Sequence, residues 1–172
     1  MNLSKAYEPS QYESTIYELW ETSGAFKPEG KGKPYSIVLP PPNANAGLHV
    51  GHTLMFAIQD TLIRYHRMKG DRVLWAPGAD HAGFETQVVY EKHLAKEGKS
   101  RFDFTRDELF NQIYDFVGQN KDVFETIFRT LGASVDWSRY TFTLDDSVVK
   151  TVYATFKKMW DDGLIYRGER LV

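Results

Sequence analysis

An α/β fold organised around a parallel strand–helix–strand crossover is the class this sequence predicts, and three observations lead there. The run Tyr35, Ser36, Ile37, Val38, Leu39 is short and apolar, so it reads as a buried strand. The stretch PPPNANAGLHVGH at residues 40–52 then opens a helix that carries Leu54, Ile58, Leu62 and Tyr65 at helical spacing. Gly70 stops that helix, and Arg72–Ala76 reads as a second strand ending at Pro77-Gly78. Strand, helix and strand within about forty residues make a right-handed parallel crossover the least costly topology.

The remaining elements follow from periodicity and stop signals. Ahead of the crossover, Tyr12–Ser23 reads as a helix with Tyr12, Ile16, Leu19 and Trp20 on one face and Gly24 as its stop, followed by a polar hairpin-like stretch, Lys27–Lys33. After the polar turn Ala79, Asp80, His81, Ala82, Gly83, a third helix runs from Phe84 to Glu97 and ends at Gly98. Thr105 with Glu108 forms a capping-box signature, and Leu109, Ile113, Phe116, Val123, Ile127 and Leu131 keep helical period to Gly132, giving the longest helix. Ser134–Leu144 is irregular or a short strand. Asp145 or Asp146 then caps a last helix over Ser147–Asp162, and residues 164–172 follow as a strand pattern with no loop after it. That abrupt end is expected of a fragment of a longer protein.

Composition narrows the function. The 172 residues, 42% of them hydrophobic, suffice for one core. Lys plus Arg number 21 against 23 Asp plus Glu, so the net charge of −2 announces no general nucleic-acid surface and any RNA contact is local. Absence of cysteine excludes thiolate metal sites, cysteine nucleophiles and disulfides, and fits an intracellular chain. The opening MNLSKAYEPS lacks the apolar centre of a signal peptide, and no stretch approaches the about 18 apolar residues of a membrane span. A soluble, cytoplasmic protein with no membrane partner is expected.

In open parallel sheets ligands bind beyond the carboxyl ends of the strands, where both polar turns of this chain fall. Pro40, Pro41 and Pro42 fix their own φ and offer carbonyls without amide donors, which suits an ammonium group. Gly47 and Gly51 let a flat base or ribose approach the backbone. His49 and His52 stand at a helix N-terminus, where free amides already favour an anion, and their imidazoles add donors to phosphate oxygens. Asp80, the only carboxylate between Asp71 and Glu85, is placed to hold an α-ammonium. Together the turns set an amino acid beside a nucleoside triphosphate, and attack of its carboxylate on the α-phosphate follows from positioning.

Plainer readings stand beside these. On their spacing alone His49 and His52 are better explained as helix-start residues, a balance that the prolines, glycines and strand-to-helix context reverse, and Asp80 alone is at least as well explained as a cap of the third helix. A zinc site from His49, His52, His81 and Asp80 has neither a His-Glu-x-x-His helix nor a cysteine in its favour, and no metal is assigned. His66 and His93 read as surface helix residues, Trp75, Trp137 and Trp160 as core or core-rim aromatics, and Arg139 as a structural ion-pair partner.

The chain resembles the class I aminoacyl-tRNA synthetases, whose first signature, His-x-Gly-His after a strand, is His49, Val50, Gly51, His52 here. The likeness extends through PPPN at 40–43, WAPGADHAGFETQ at 75–87, LGASVDWSR at 131–139 and GLIYRGERLV at 163–172. Pro77-Gly78-Ala79-Asp80, where isoleucine- and leucine-specific members usually carry Gly-Trp-Asp, and the opening at 7–28 are similar to the valine-specific branch. The resemblance implies a Rossmann-like parallel sheet flanked by helices, the first half of a synthetase catalytic domain. Residues 1–34 would be an N-terminal helix and lead-in, and 35–172 the N-terminal half of the nucleotide-binding domain.

It further implies ATP with Mg2+ as substrate, valine and tRNA(Val) as partners, and a missing C-terminal half. In it His49, Gly51, His52 and Gly47 bind ATP, with His49 and His52 stabilising the adenylation transition state and Gly51 admitting the adenine. Pro41 and Asn43 line the valine pocket, and Asp80 holds the amino group. Ala46 stands where the family usually has glycine, and the family's Lys-Met-Ser-Lys-Ser loop has no counterpart, since Lys157, Lys158 and Met159 fall inside a helix pattern. The chain stops where an editing insertion usually begins, so full aminoacylation by these residues alone is not expected. The competing readings are an isoleucine- or leucine-type fragment, a small nucleotidyltransferase sharing the His-x-Gly-His turn, and a non-catalytic synthetase-derived interaction module.

Overall fold

The computed structural model describes residues 6–45 and 47–169. Its elements are α1 (Pro9–Thr22), β1 (Pro34–Ser36), α2 (Val50–Met68), β2 (Arg72–Leu74), β3 (Gly78–Ala79), α3 (Gly83–Lys96), α4 (Arg106–Thr130), β4 (Thr141–Phe142) and α5 (Asp146–Asp161). The expected crossover is present: β1 pairs in parallel with β2, Tyr35 opposite Val73, with α2 between them. β3 pairs in parallel with β4, Ala79 opposite Phe142, and a parallel bridge joins Asn43 to Asp80.

Segment 72–80 is thus a central ribbon, hydrogen-bonded to 34–44 on one side and to 136–143 on the other. Val73, Trp75, Pro77 and Ala79 are buried in alternation, the period of an extended chain with one face in the core. The expected strands Tyr35–Leu39 and Arg72–Ala76 are both shortened. The β1–β2 ladder ends at Ser36 and Leu74, and pairing resumes at Asn43 and Gly78, past Pro40–Pro42 and Pro77, which have no amide hydrogen to give. At Gly78 a Cβ would lie 2.8 Å from the Thr141 carbonyl oxygen, so β3 and β4 can approach only with glycine there.

Helix ends follow their signals. Gly24, Gly70, Gly98, Gly132 and Gly163 take positive φ just past five helices. The Thr105–Glu108 capping box is formed, and the 25-residue α4 is the longest helix. The helix faces, however, are not those the apolar pattern predicts. In α2 the buried residues are Phe56 and Ile63, whereas Leu54, Ile58, Leu62 and Tyr65 are exposed. The inward stripe also carries Asp60 and Arg67, and both bond to one turn, although the buried Nε of Arg67 is left without a partner among the described residues. The Asp60 carboxylate accepts from the Ser134 hydroxyl and amide, and Arg67 donates to Ser134 Oγ at 2.5 Å and to its carbonyl at 2.8 Å. A buried face with paired polar groups reads as polar in sequence.

The same holds for α1, where Tyr17 is buried and Tyr12, Ile16 and Leu19 are exposed. Tyr17 donates to the Ala133 carbonyl at 2.8 Å and accepts from Trp137 Nε1 at 2.7 Å, and Glu21 pairs with Arg129 of α4. On α4, Val117, Phe124 and Phe128 face inward, Ile113 and Phe116 pack at the core's margin, and Val123 and Leu131 are exposed. Phe128 packs edge-on against Phe56 at 4.2 Å and beside Phe124 at 4.3 Å. Trp75 is fully buried and Trp137 lies at the core's rim, but Trp160 is 53% exposed, because α5 buries none of its residues. His66 is not a plain surface residue: its ring stacks on Tyr35 at 3.5 Å and bonds Asp71 at 2.7 Å, which holds that carboxyl below its usual range.

Residues 164–169 form no strand, and Leu164 and Tyr166 are exposed without a neighbouring ribbon to pair with. The rest of that pattern, 170–172, and the family departure at Ala46 lie outside the described residues. The observed faces are testable. Phe128→Ala should cost about 3–5 kcal/mol in urea unfolding, while Leu62→Ala, on the stripe the pattern favours, should stay within about 0.5 kcal/mol.

Candidate active site

The turn after β1 delivers the polypeptide to the start of α2. Pro42 O accepts from Asp80 N at 2.8 Å, and Ala44 N donates to Asp80 O at 2.7 Å, so the proline run is tied to the central ribbon. His49 is the extended N-cap residue of α2, at φ −111° and ψ 169°. Its Nδ1 accepts from the Gly51 amide at 3.1 Å, and His52 Nδ1 accepts from the His49 amide at 3.3 Å. This is a reciprocal capping box made of two imidazoles, whose ring centroids lie 3.9 Å apart.

The cap fixes the protonation of both rings. A nitrogen that accepts an amide hydrogen carries no proton, so the neutral ring keeps its hydrogen on Nε2, where it is a donor. Burial, and then the neighbouring His49, hold the His52 imidazole below its ordinary pKa. The pair therefore offers two neutral N–H donors at the positive end of a 19-residue helix dipole, an arrangement that suits phosphate oxygens. Gly51 is part of the device. A Cβ there would lie 3.0 Å from His49 Cε1 and 3.1 Å from its Nδ1, so any other residue would crowd the imidazole on its cap.

Pro41, Asn43, Gly47, His49 and His52 line one cleft of about 420 Å³, with Pro40, Pro42, Asn45, Leu48 and Met55. Gly47 has open space around it and Gly51 stands behind His49, outside the cleft wall. Asp80 does not line the cleft either. It occupies the adjacent ribbon, in register with Asn43. A larger groove of about 740 Å³ lies between α1 and α4, but Glu13, Glu18 and Glu21 on its wall disfavour a polyanion.

Asp80 heads a tightly specified turn. Its Oδ1 accepts from the Ala82 amide at 3.1 Å and from the Thr143 hydroxyl at 3.1 Å. Ala82 is buried in the left-handed region at φ 47°, uncommon for a residue with a Cβ, and its carbonyl receives the Thr86 amide at 2.8 Å. His81 turns its Nδ1 to Thr143 at 2.6 Å rather than to His49 and His52. No group of three or more His, Cys, Asp or Glu side chains among the described residues is arranged to hold a metal ion.

Thr143 is the site residue that sequence reading missed. It lies 63 positions from Asp80 and sits in TFTLDD, with no motif to mark it, and only the pairing of β3 with β4 brings it there. Arg139, by contrast, pairs with Asp136 as expected, its guanidinium bonded to a carboxylate that is almost wholly buried.

A sequence model of the family described as tRNA synthetases class I (I, L, M and V) matches residues 15–172. The chain is 44% identical over 170 residues to the valine–tRNA ligase of Legionella pneumophila, and 47% identical over 171 residues to that of Psychrobacter arcticus. Each alignment covers 99% of this chain, which spans only 18% and 17% of the length of those relatives. Among solved structures it is similar to an Agrobacterium radiobacter LeuRS in a ternary complex with tRNA and LeuAMS. There the TM-score is 0.78 at 22% identity, covering 95% of this chain and 19% of that one. This likeness establishes the Rossmann-like α/β fold of the class I catalytic domain. Among the described residues no helix is long and apolar enough to cross a membrane.

The imidazole cap makes a pH prediction. His52 is depressed in the folded chain, whereas the unfolded chain takes up its proton near the ordinary value of about 6.5. The unfolded state thus binds more protons below that value, and stability should fall as pH drops from about 7 through 6. His52→Asn, which keeps an acceptor at the cap, should flatten this slope in denaturation series at stepped pH. Gly51→Ala should press on the His49 ring, lengthen its bond to the residue 51 amide and shift the His49 ring-nitrogen signals in nitrogen-15 NMR.

Proposed function

The chain belongs to the class I tRNA synthetases of the isoleucine, leucine, methionine and valine group, and from that premise we propose that it is the valine-activating half-site of a valine–tRNA ligase. The reaction is attack of a valine carboxylate oxygen on the α-phosphorus of ATP. One P–O bond forms, the bond to pyrophosphate breaks, and valyl-adenylate and pyrophosphate result. The valyl group then passes to tRNA(Val), held largely by parts of the enzyme beyond this chain. Magnesium enters as part of the MgATP substrate. Because the reaction feeds translation, we place the protein in the cytoplasm.

The observation that carries this reading is the reciprocal His49–His52 cap on the wall of a cleft shared with Pro41 and Asn43. In the proposed mechanism the two Nε2–H groups donate to phosphate oxygens whose negative charge grows at the pentacoordinate transition state. They transfer no proton, and the neutral form suffices. Gly47 keeps the approach of the nucleotide clear of side chains, and Gly51 serves it by leaving room for the His49 ring. The valine side chain rests along Pro41 and Asn43, and its ammonium is held by the Asp80 carboxylate on the neighbouring ribbon. Identity of 44–47% to valine–tRNA ligases supports valine over isoleucine or leucine as the amino acid, and also disfavours a nucleotidyltransferase of another kind.

In the complete enzyme, His52→Ala should lower kcat for valine-dependent ATP–pyrophosphate exchange by about 10²- to 10³-fold while leaving the KM for valine within about twofold. Equal losses in valine binding and turnover would remove the assigned role. Titration of this chain with non-hydrolysable valyl-, isoleucyl-, leucyl- and threonyl-adenylate analogues should show preference for the valyl form.

A further inference from the structure

We infer that Thr143 is the positioning residue of the amino-acid site: it orients the Asp80 carboxylate and is itself locked by His81. The inference rests on the reading that Asp80 holds the valine ammonium. Three groups from two adjacent residues meet at one hydroxyl. The Thr143 Oγ1 accepts the His81 backbone N–H at 2.9 Å, contacts His81 Nδ1 at 2.6 Å and donates to Asp80 Oδ1 at 3.1 Å. A hydroxyl has one hydrogen. In the inferred relay that hydrogen goes to the carboxylate, so His81 carries its proton on Nδ1 and donates it to Thr143, leaving Nε2 bare. The relay therefore runs in one direction, from imidazole through hydroxyl to carboxylate.

Its effect on Asp80 is geometric. The Thr143 hydroxyl and the Ala82 amide both converge on Oδ1, and no described residue hydrogen-bonds Oδ2. One oxygen is thus pinned to the protein while the other remains for a ligand cation, and the carboxylate plane is set by two donors from different parts of the fold. The strained turn at Ala82 and the Thr86 hydroxyl, which donates to the His81 carbonyl at 2.6 Å, hold His81 from behind. The Thr143 amide is itself anchored by Ala79 O at 3.2 Å, so β4 delivers the hydroxyl in register with β3. Without the hydroxyl, Asp80 keeps its charge but loses one of the two bonds that aim it.

The test is valine-dependent ATP–pyrophosphate exchange by the complete enzyme, comparing Thr143→Val, Thr143→Ser, Asp80→Asn and the double variant, each checked for folding by circular dichroism. Thr143→Val should raise the KM for valine about ten- to a hundredfold, the range of a hydrogen bond to a charged group. The KM for ATP and kcat should stay within about twofold, and Thr143→Ser should restore the valine KM. Added to Asp80→Asn, the Thr143 change should have no further effect. If Asp80→Asn raises the valine KM while Thr143→Val does not, the relay is wrong and the Asp80 reading stands. If Asp80→Asn leaves the valine KM unchanged, that reading fails and takes the relay with it. Independently of any variant, nitrogen-15 NMR should find the His81 proton on Nδ1, opposite to His49 and His52, and a proton on Nε2 with Nδ1 bare would overturn the relay.

Discussion

Everything at the site depends on the central ribbon, residues 72–80, being paired in parallel on both edges. Its Asp80 amide and carbonyl bond to Pro42 and Ala44, and the carbonyls of Pro77 and Ala79 receive the amides of Thr141 and Thr143. In an extended chain successive residues offer their hydrogen-bonding groups to opposite edges, so one ribbon can serve two partners without conflict. The consequence is that three segments distant in sequence, carrying Asn43, Asp80 and Thr143, end side by side. The ribbon does this with few ladder bonds, its pairing with the first segment broken between Ser36 and Asn43. What compensates is burial: Val73, Trp75 and Ala79 face a core in which Phe56, Phe124 and Phe128 interlock.

The aim of α2 is a separate matter, and polar groups govern it. Asp60, Arg64 and Arg67 on successive turns reach one loop. Arg64 donates to the Gly132 carbonyl at 2.5 Å, while Asp60 and Arg67 grasp Ser134 from either side. Hydrogen bonds of this kind are directional where apolar contacts are not, and a half-buried network left partly unmade is costly. They therefore fix the rotation of α2 about its axis more sharply than Phe56 and Ile63 do alone. Since His49 and His52 start the same helix, the clamp at its far end also settles where their rings point. α1 joins the arrangement through Tyr17, which spans Ala133 and Trp137 on the far side of the same loop.

This division explains what was legible in the sequence. Element types, the parallel crossover, helix stops and the Thr105–Glu108 box were readable because each has a local cause within a few residues. Helix faces were not, since the buried stripes of α1 and α2 contain Glu21, Asp60 and Arg67, whose partners lie on other elements. A pattern of apolar residues cannot distinguish a polar group exposed to water from one paired inside. At the site, His49, His52, Gly51 and Asn43 were readable from one contiguous motif. The contribution of Thr143 depends on a pairing made across 63 positions, and no property of Thr143 itself announces it.

The imidazole pair also shows why histidine suits this turn better than a more strongly charged residue. Lysine or arginine would bring full charge, but on long stems whose ordering costs rotamer entropy. Each histidine is instead held at one ring nitrogen by the backbone it caps, which orients the opposite nitrogen without any ligand. The bonds that begin α2 and the bonds proposed to stabilise a transition state thus use the two ends of the same rings. Donors fixed in advance need no reorganisation as charge develops, which is where electrostatic catalysis gains most. That coupling favours glycine at position 51 for a reason internal to the protein, since a Cβ there would press on the His49 ring whether or not a nucleotide is bound.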